Sequence, residues 1–471
     1  MTPSLATTPE SGISATSPAR RAKPDYSVDY ATDFSATPSA PTSSPSPVSS
    51  AAAVTAAPLA MNASVATPSL APTARTTAHP SVASTVSPID APTGTPTGVV
   101  PNSIASAVAN SVMCAATTAG TSGATSAGTS VGTIASTSAG TSAVTEPAET
   151  LRETLFAAIG TDLQRVETRL REELRSDHPY VDELVRYGCL LGGKRLRPAL
   201  LLLAAKACGG VREEHLTLAT VVEMIHTATL VHDDVIDEAG MRRHLATVNA
   251  RWDNEASVLL GDFLFTHAFY LASTLPTTHA CRLIGHATNI VCEGELRQKG
   301  LRGRFDLNPA EYFAVVEAKT AELCSVSCEL GAFYAGASPE IAEALSLYGR
   351  DLGIAFQIAD DLLDFQGDED TMGKSLGTDL QKQRPTLPVI HLLERASGGE
   401  RTKALAALRG EVDNPLPVLR ELLVRHGSFE HTLAVAANHA HRAVNRLNGL
   451  APSVARDTLS DLAQFVVQRR R

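Results

Sequence analysis

The sequence predicts an all-α domain of some ten or more helices behind a disordered tail. Three observations carry this. From about Thr150 onward, apolar residues recur at helical spacing in long stretches. Alternating, β-branched strand patterns are nearly absent. Residues 1–147 are dominated by Ser, Thr, Ala and Pro, with few charges and almost no aromatics. Such a segment cannot bury enough apolar surface to offset its ordering entropy.

Within the tail, AGTS recurs at 119–122, 127–130 and 139–142, which is low complexity and not a solenoid period. The first thirty residues lack a basic start followed by an apolar core, and they contain Glu10, Asp25 and Asp29. Neither a signal peptide nor a transit peptide is expected. No uninterrupted apolar run reaches the ~18 residues of a membrane span. The seven cysteines are scattered without a CxxC, and Cys324 and Cys328 read as a reduced pair in the core. A reducing, cytoplasmic location follows. A net charge of −10 disfavours a nucleic-acid binder.

Residues 148–471 read as one domain. The stretch LRETLFAAIGTDLQRVETRLREEL (151–174) alternates Glu and Arg with apolar positions, as an amphipathic helix does. Pro198 suits the start of the helix LRPALLLLAAKA, so Gly192, Gly193 and Lys194 form the loop before it. Gly188 to Lys194 satisfies G-x-x-x-x-G-K, but Arg195 stands where a phosphate-binding P-loop has Ser or Thr, and no strand precedes it. Lys194, Arg195 and Arg197 still place three cations at a helix N-terminus, a natural anion site. Helical patterns continue over 215–237, 254–275, 278–299, 309–336, 339–365, 386–396, 401–408, 415–425 and 429–448.

Two of these helices carry the chemistry. HTATLVHDDVIDEAGMRR (226–243) puts Asp233, Asp234 and Asp237 in an apolar run and follows them with Arg242 and Arg243. Positions 226, 230, 233 and 237 share one helix face. QIADDLLD (357–364) repeats the pattern as Asp360, Asp361 and Asp364, with Gln357 one turn earlier. Unpaired buried carboxylates are costly, so something positive should lie between them. Facing each other, the two motifs would clamp Mg²⁺, which prefers carboxylates plus substrate phosphates to an all-protein cage. The expected ligand is a diphosphate. Lys319 and Thr320 sit in the apolar helix EAKTAEL, where a lysine needs an anionic partner. Lys374 lies in a Gly- and acid-rich stretch that reads as a mobile flap. His232-Asp233 could suggest a metal phosphohydrolase, but His226 and His244 do not complete a ligand set.

GGKRLRP, HTATLVHDDVIDEAGMRR, GELRQ, KTAEL, QIADDLLD and GKSLGTDL, in that order, resemble the trans-isoprenyl diphosphate synthases, or polyprenyl synthetases. The resemblance spans about 155–470. It implies a helical bundle around a deep apolar cavity, usually a homodimer. It implies Mg²⁺ ligation by Asp233, Asp237 and Asp360, with about three ions, and support from Asp234, Asp361 and Asp364. Arg242, Lys319 and Lys374 match its cations for the allylic diphosphate. Lys194, Arg197, His226 and Arg243 match its isopentenyl diphosphate site, and Thr320 and Gln357 match the polar groups facing the carbocation. The chain departs from the family at His244 and Ala246, and at Gln383-Arg384, where GK is usual. The terminal Arg469, Arg470 and Arg471 could reach the isopentenyl site or form a solvated basic end.

Below Asp233 on its own helix stand Thr229 and Ala228, roughly 6 Å away at one turn. Short-chain members resemble one another in blocking this level with bulky side chains. Small residues here lead to a long product, heptaprenyl to decaprenyl with octaprenyl favoured, as a quinone side-chain precursor handed to a membrane. The rival readings are a short-chain farnesyl or geranylgeranyl synthase, a terpene cyclase of the same fold and a non-catalytic subunit. The DDLLD second motif argues against the cyclase, and two intact aspartate motifs argue against the subunit.

Overall fold

The computed structural model describes residues 147–191, 195–243, 245–366 and 377–468, with side chains from Leu151 onward. The tail, Gly192 to Lys194, His244, Lys374 and Arg469 to Arg471 lie outside these residues. Sixteen α-helices are described. They are α1 (Pro147–Glu173), α2 (Pro179–Leu190), α3 (Leu196–Ala207), α4 (Glu213–Ile236), α5 (Val248–Arg251), α6 (Asn254–Ser273), α7 (His279–Gly300) and α8 (Pro309–Val316). After a π-turn at Glu317–Ala321 come α9 (Glu322–Ala335), α10 (Pro339–Gln366), α11 (Thr378–Gln381), α12 (Leu387–Arg395), α13 (Gly398–Leu408), α14 (Pro415–Arg425), α15 (Ser428–Arg446) and α16 (Val454–Gln468). One two-residue hairpin, β1 (Met241–Arg242) with β2 (Leu245–Ala246), is the sole sheet among the described residues.

α3 is the hub. Its run Leu200 to Leu203 is fully buried, as expected of a helix apolar on all sides. α1, α4, α9 and α16 pack around it. α16 escaped the sequence reading, yet it inserts Leu459, Leu462, Ala463 and Val466 into the main core, and its Leu459 carbonyl accepts a hydrogen bond from the Tyr348 hydroxyl at 2.7 Å. A second core lies under α12 to α15, around Leu392, Leu419, Leu422 and Phe429.

The predicted helix 309–336 is in fact α8, the π-turn and α9. α8 starts on a capping box: the Asn308 side chain accepts from the Glu311 amide at 3.0 Å, and Glu311 accepts from the Asn308 amide at 3.1 Å. The π-turn holds Lys319 and Thr320, and such bulges are frequent at functional sites. Two glycines let neighbouring helices close on it. A Cβ at Gly353 of α10 would lie 2.7 Å from the Ala321 Cα, and one at Gly294 of α7 would lie 2.9 Å from the Lys319 amide nitrogen.

α6 is long and apolar enough to cross a membrane by length and composition. Glu255 and Asp262 interrupt it, so no unbroken apolar run marks it. Its inner face, with Leu260, Leu264, Ala268 and Leu271, packs on α4 as core.

Candidate active site

α4 delivers the first aspartate motif. Asp233 is half-buried, and Asp234 is buried. The β1–β2 hairpin folds the chain back so that Arg242 donates to both carboxylate oxygens of Asp234, at 2.8–3.0 Å. Burial pushes the Asp234 carboxyl above the usual range, against the pull of Arg242. Asp237 ends the helix and meets three cations: Arg302 at 3.0 Å, Lys382 at 2.8 Å and Arg384 at 2.6 Å. Burial alone would raise its pKa, but the Lys382 hydrogen bond and the charges of Arg384, Lys382 and Lys319 outweigh it and hold the group below the usual range.

α10 delivers the second motif. Asp360 is half-buried. Asp361 is buried and accepts from the Tyr312 hydroxyl at 2.6 Å and from the Gln357 amide at 2.9 Å. Asp364 is buried too, and it accepts from the Thr378 hydroxyl at 2.9 Å and the Asp379 amide at 3.1 Å. It therefore anchors the first turn of α11.

The π-turn bridges the motifs. Lys319 Nζ lies 3.6 Å from Asp233, 2.7 Å from Glu295 and 3.2 Å from Gln298. The Thr320 hydroxyl donates to Gln357 at 2.9 Å. Burial and the nearby Asp233 raise the Glu295 carboxyl, with Lys319 opposing. A cavity of about 110 Å³ opens here, lined by Lys319, Thr320, Gln357, Asp361, Tyr312 and Arg384. A larger open groove of about 500 Å³, between α1 and the start of α4, holds none of the candidate residues.

A basic corner adjoins α4. Arg195, with its backbone in the left-handed region, pairs with Glu167 and, at 2.6 Å, with buried Glu223. Burial would lower its pKa, but Glu223 and Glu167 outweigh this and keep it charged. The Arg197 Nε is buried without a hydrogen-bond partner among the described residues. His226 is held neutral by burial and then by the charges of Arg197, Arg242, Arg243 and Arg195. Arg243 is exposed at the hairpin turn. On α4, Ala228 is fully buried in the core, whereas Thr229 is partly buried with its hydroxyl turned to the His226 carbonyl at 2.8 Å.

Several site residues escaped the sequence reading. Tyr312, Arg302 and Lys382 carry no local signal, because their partners are tens of residues away. Glu295 sits within GELRQ and could have been singled out as the partner the half-buried Lys319 requires. His232 is structural: its ring lies against Gly261, where a Cβ would come 2.0 Å from Nε2, and it bonds the Val258 carbonyl at 3.1 Å. Phe265 stacks near it at 6.1 Å, and Phe263 stacks on His267 at 6.0 Å.

Among the described residues, no three His, Cys, Asp or Glu side chains converge into a ready-made metal cage. The donor set nevertheless fits Mg²⁺, which completes its shell with water and substrate phosphate rather than with a full set of carboxylates. Asp233, Asp237 and Asp360 are the half-buried motif carboxylates, Asp237 with its oxygens on Arg302, Lys382 and Arg384; Asp234, Asp361 and Asp364 are buried against protein partners.

The polyprenyl synthetase family model matches residues 178–419. The octaprenyl diphosphate synthase of Escherichia coli (strain K12) is 38% identical over 311 residues, covering 66% of this chain and 96% of that protein. The crystal structure of a decaprenyl diphosphate synthase from Rhodobacter capsulatus superposes with a TM-score of 0.64 at 37% identity, covering 68% of this chain and 99% of that one. A polyprenyl synthase from Caulobacter crescentus CB15, solved with calcium and isoprenyl diphosphate, gives 0.64 at 35% identity over 68% and 98%. By motif order, fold and sequence, the chain belongs to the polyprenyl synthetase family.

Proposed function

We propose that the protein condenses isopentenyl diphosphate, unit by unit, onto an allylic diphosphate to give a long all-trans-polyprenyl diphosphate. As a polyprenyl synthetase it is a prenyltransferase. The observation that carries the reading is the π-turn: it sets a cation beside Asp233 and a hydroxyl on Gln357, so that one short segment reaches both aspartate helices. The proposed length is heptaprenyl to decaprenyl, with octaprenyl favoured. Small Ala228 and Thr229 below Asp233 support this, as do relatives named for octaprenyl and decaprenyl products.

Asp233, Asp237 and Asp360 would hold the metal, about three Mg²⁺ ions per site, which supplies Lewis-acid stabilisation of the departing diphosphate. Lys319 adds a cation beside the same group, and Arg242 and Lys374 are assigned there with it. The allylic C–O bond breaks with its electron pair going to diphosphate. Thr320 and Gln357 face the carbocation. Lys194, Arg197, His226 and Arg243 hold isopentenyl diphosphate alongside, and proximity supplies much of the rate. His226, whose pKa burial and the neighbouring arginines push well below the usual range, orients that substrate by hydrogen bonding. The isopentenyl double bond forms the new C–C bond, and the proton it sheds passes to released diphosphate. The product is allylic again, so the cycle repeats.

A homodimer is part of the proposal. Val258, Leu259 and Tyr270 on α6 and Leu296 on α7 are large apolar side chains left exposed on the single chain. The compartment proposed is the cytoplasm, with the apolar product passing to a membrane as a quinone side-chain precursor. Incubation with isopentenyl diphosphate, a short allylic starter and Mg²⁺, followed by chromatography, tests the reading. Products near octaprenyl are expected; a ladder ending at farnesyl or geranylgeranyl would overturn the long-chain assignment.

A further inference from the structure

We propose that Tyr312 and Asp361 form a positioning clamp that sets the polarity of Thr320, so that its hydroxyl turns lone pairs rather than its proton toward the reacting carbon. The inference rests on the condensation reading above. Tyr312 comes from α8, Asp361 and Gln357 from α10, and Thr320 from the π-turn, and the four make one unbroken chain of hydrogen bonds. Its links are Tyr312 to Asp361 at 2.6 Å, Gln357 to Asp361 at 2.9 Å and Thr320 to Gln357 at 2.9 Å.

The direction of each bond follows from what the groups can do. Asp361 Oδ2 is taken up by the Tyr312 hydroxyl and its Oδ1 faces the Gln357 NH₂, which sets the orientation of an amide whose two ends are otherwise interchangeable. The carbonyl end of Gln357 is then left to face Thr320. That carbonyl only accepts, so the Thr320 hydroxyl must donate to it. With its single proton committed, the Thr320 oxygen presents lone pairs to the cavity it lines with Lys319. A lone pair stabilises a developing carbocation; a hydroxyl proton in its place would oppose it. Tyr312 secures the arrangement by occupying Oδ2 in a buried setting. With both oxygens taken, Asp361 acts through Gln357, which separates its role from that of its neighbour Asp360.

The test is a set of variants of the full chain, Tyr312→Phe, Asp361→Asn, Thr320→Val and Tyr312→Phe/Thr320→Val, assayed with both substrates and Mg²⁺ alongside the unaltered enzyme. Tyr312→Phe should lower kcat on the order of tenfold, leaving KM for each substrate and the Mg²⁺ half-saturation within about twofold of the unaltered enzyme. Asp361→Asn should cost more although it is isosteric, because an amide there can donate to Gln357, flip it and force Thr320 to accept. In the Thr320→Val background, Tyr312→Phe should cost nothing further in kcat, a coupling that a merely structural tyrosine would not show. Three results would overturn the clamp: unaltered kcat in Tyr312→Phe beside a lowered Tm, additive losses in the double variant, or a raised Mg²⁺ half-saturation in Asp361→Asn. No elongation by the unaltered enzyme would instead count against the condensation reading itself.

Discussion

The two aspartate motifs have the same spacing but different surroundings. Motif one closes α4, so Asp237 stands at a helix end open to Arg302, Lys382 and Arg384. Motif two lies inside α10, which continues past it to Gln366. Asp364 is therefore turned inward, spending both oxygens on Thr378 and Asp379. The middle aspartates also differ. Asp234 neutralises an arginine, whereas Asp361 accepts from uncharged Tyr312 and Gln357. A shared spacing puts carboxylates on a common helix face, but the neighbouring elements decide what each carboxylate does.

The comparison can be broken most forcefully at the first residue of each motif, where the two agree. Asp233→Ala or Asp360→Ala should abolish turnover, on the order of a thousandfold or more, while the circular dichroism stays native. Near-normal activity of either purified variant would sink the metal assignment. The cations come next. Lys319→Ala, beside motif one, should lower kcat because its charge is needed as the bond breaks. Arg197→Ala should mainly raise KM for isopentenyl diphosphate, by about tenfold for a charged hydrogen bond. If Arg197→Ala impaired only the allylic substrate, the two diphosphate sites would be reversed. Ala228→Phe on the motif-one helix should shorten the extracted product while retaining turnover; an unchanged chain length would remove this position from length control. The smallest effect is expected at Gly353, where α10 touches the π-turn. Gly353→Ala forces backbone apart and should cost about 1–3 kcal/mol of stability in a denaturant titration.

Much of this architecture was legible in the sequence. Apolar stripes at helical period marked most of the long helices, and carboxylates inside such stripes marked both motif helices, because a buried charge needs a reason. The π-turn was not legible: its extra residue changes no composition, and only the folded backbone, with the Glu322 amide bonded to the Glu317 carbonyl, shows it. Nor were the partners of the motifs. Tyr312, Arg302 and Lys382 reach their aspartates across folded space, and no local periodicity encodes that. The two Lys assignments outside the described residues, Lys194 and Lys374, rest on motif order alone.

The inequality of the two motifs is tested most directly by the Mg²⁺ response of two matched variants, Asp237→Asn and Asp364→Asn. Mn²⁺ binding followed by electron paramagnetic resonance, with a non-hydrolysable allylic diphosphate analogue present, reads it without relying on turnover. Asp237→Asn should weaken metal binding by about tenfold or more. Asp364→Asn should bind metal as the unaltered protein does and lose about 1–2 kcal/mol of stability through its weakened bonds to Thr378 and Asp379. Equal weakening of metal binding in both variants would contradict the account.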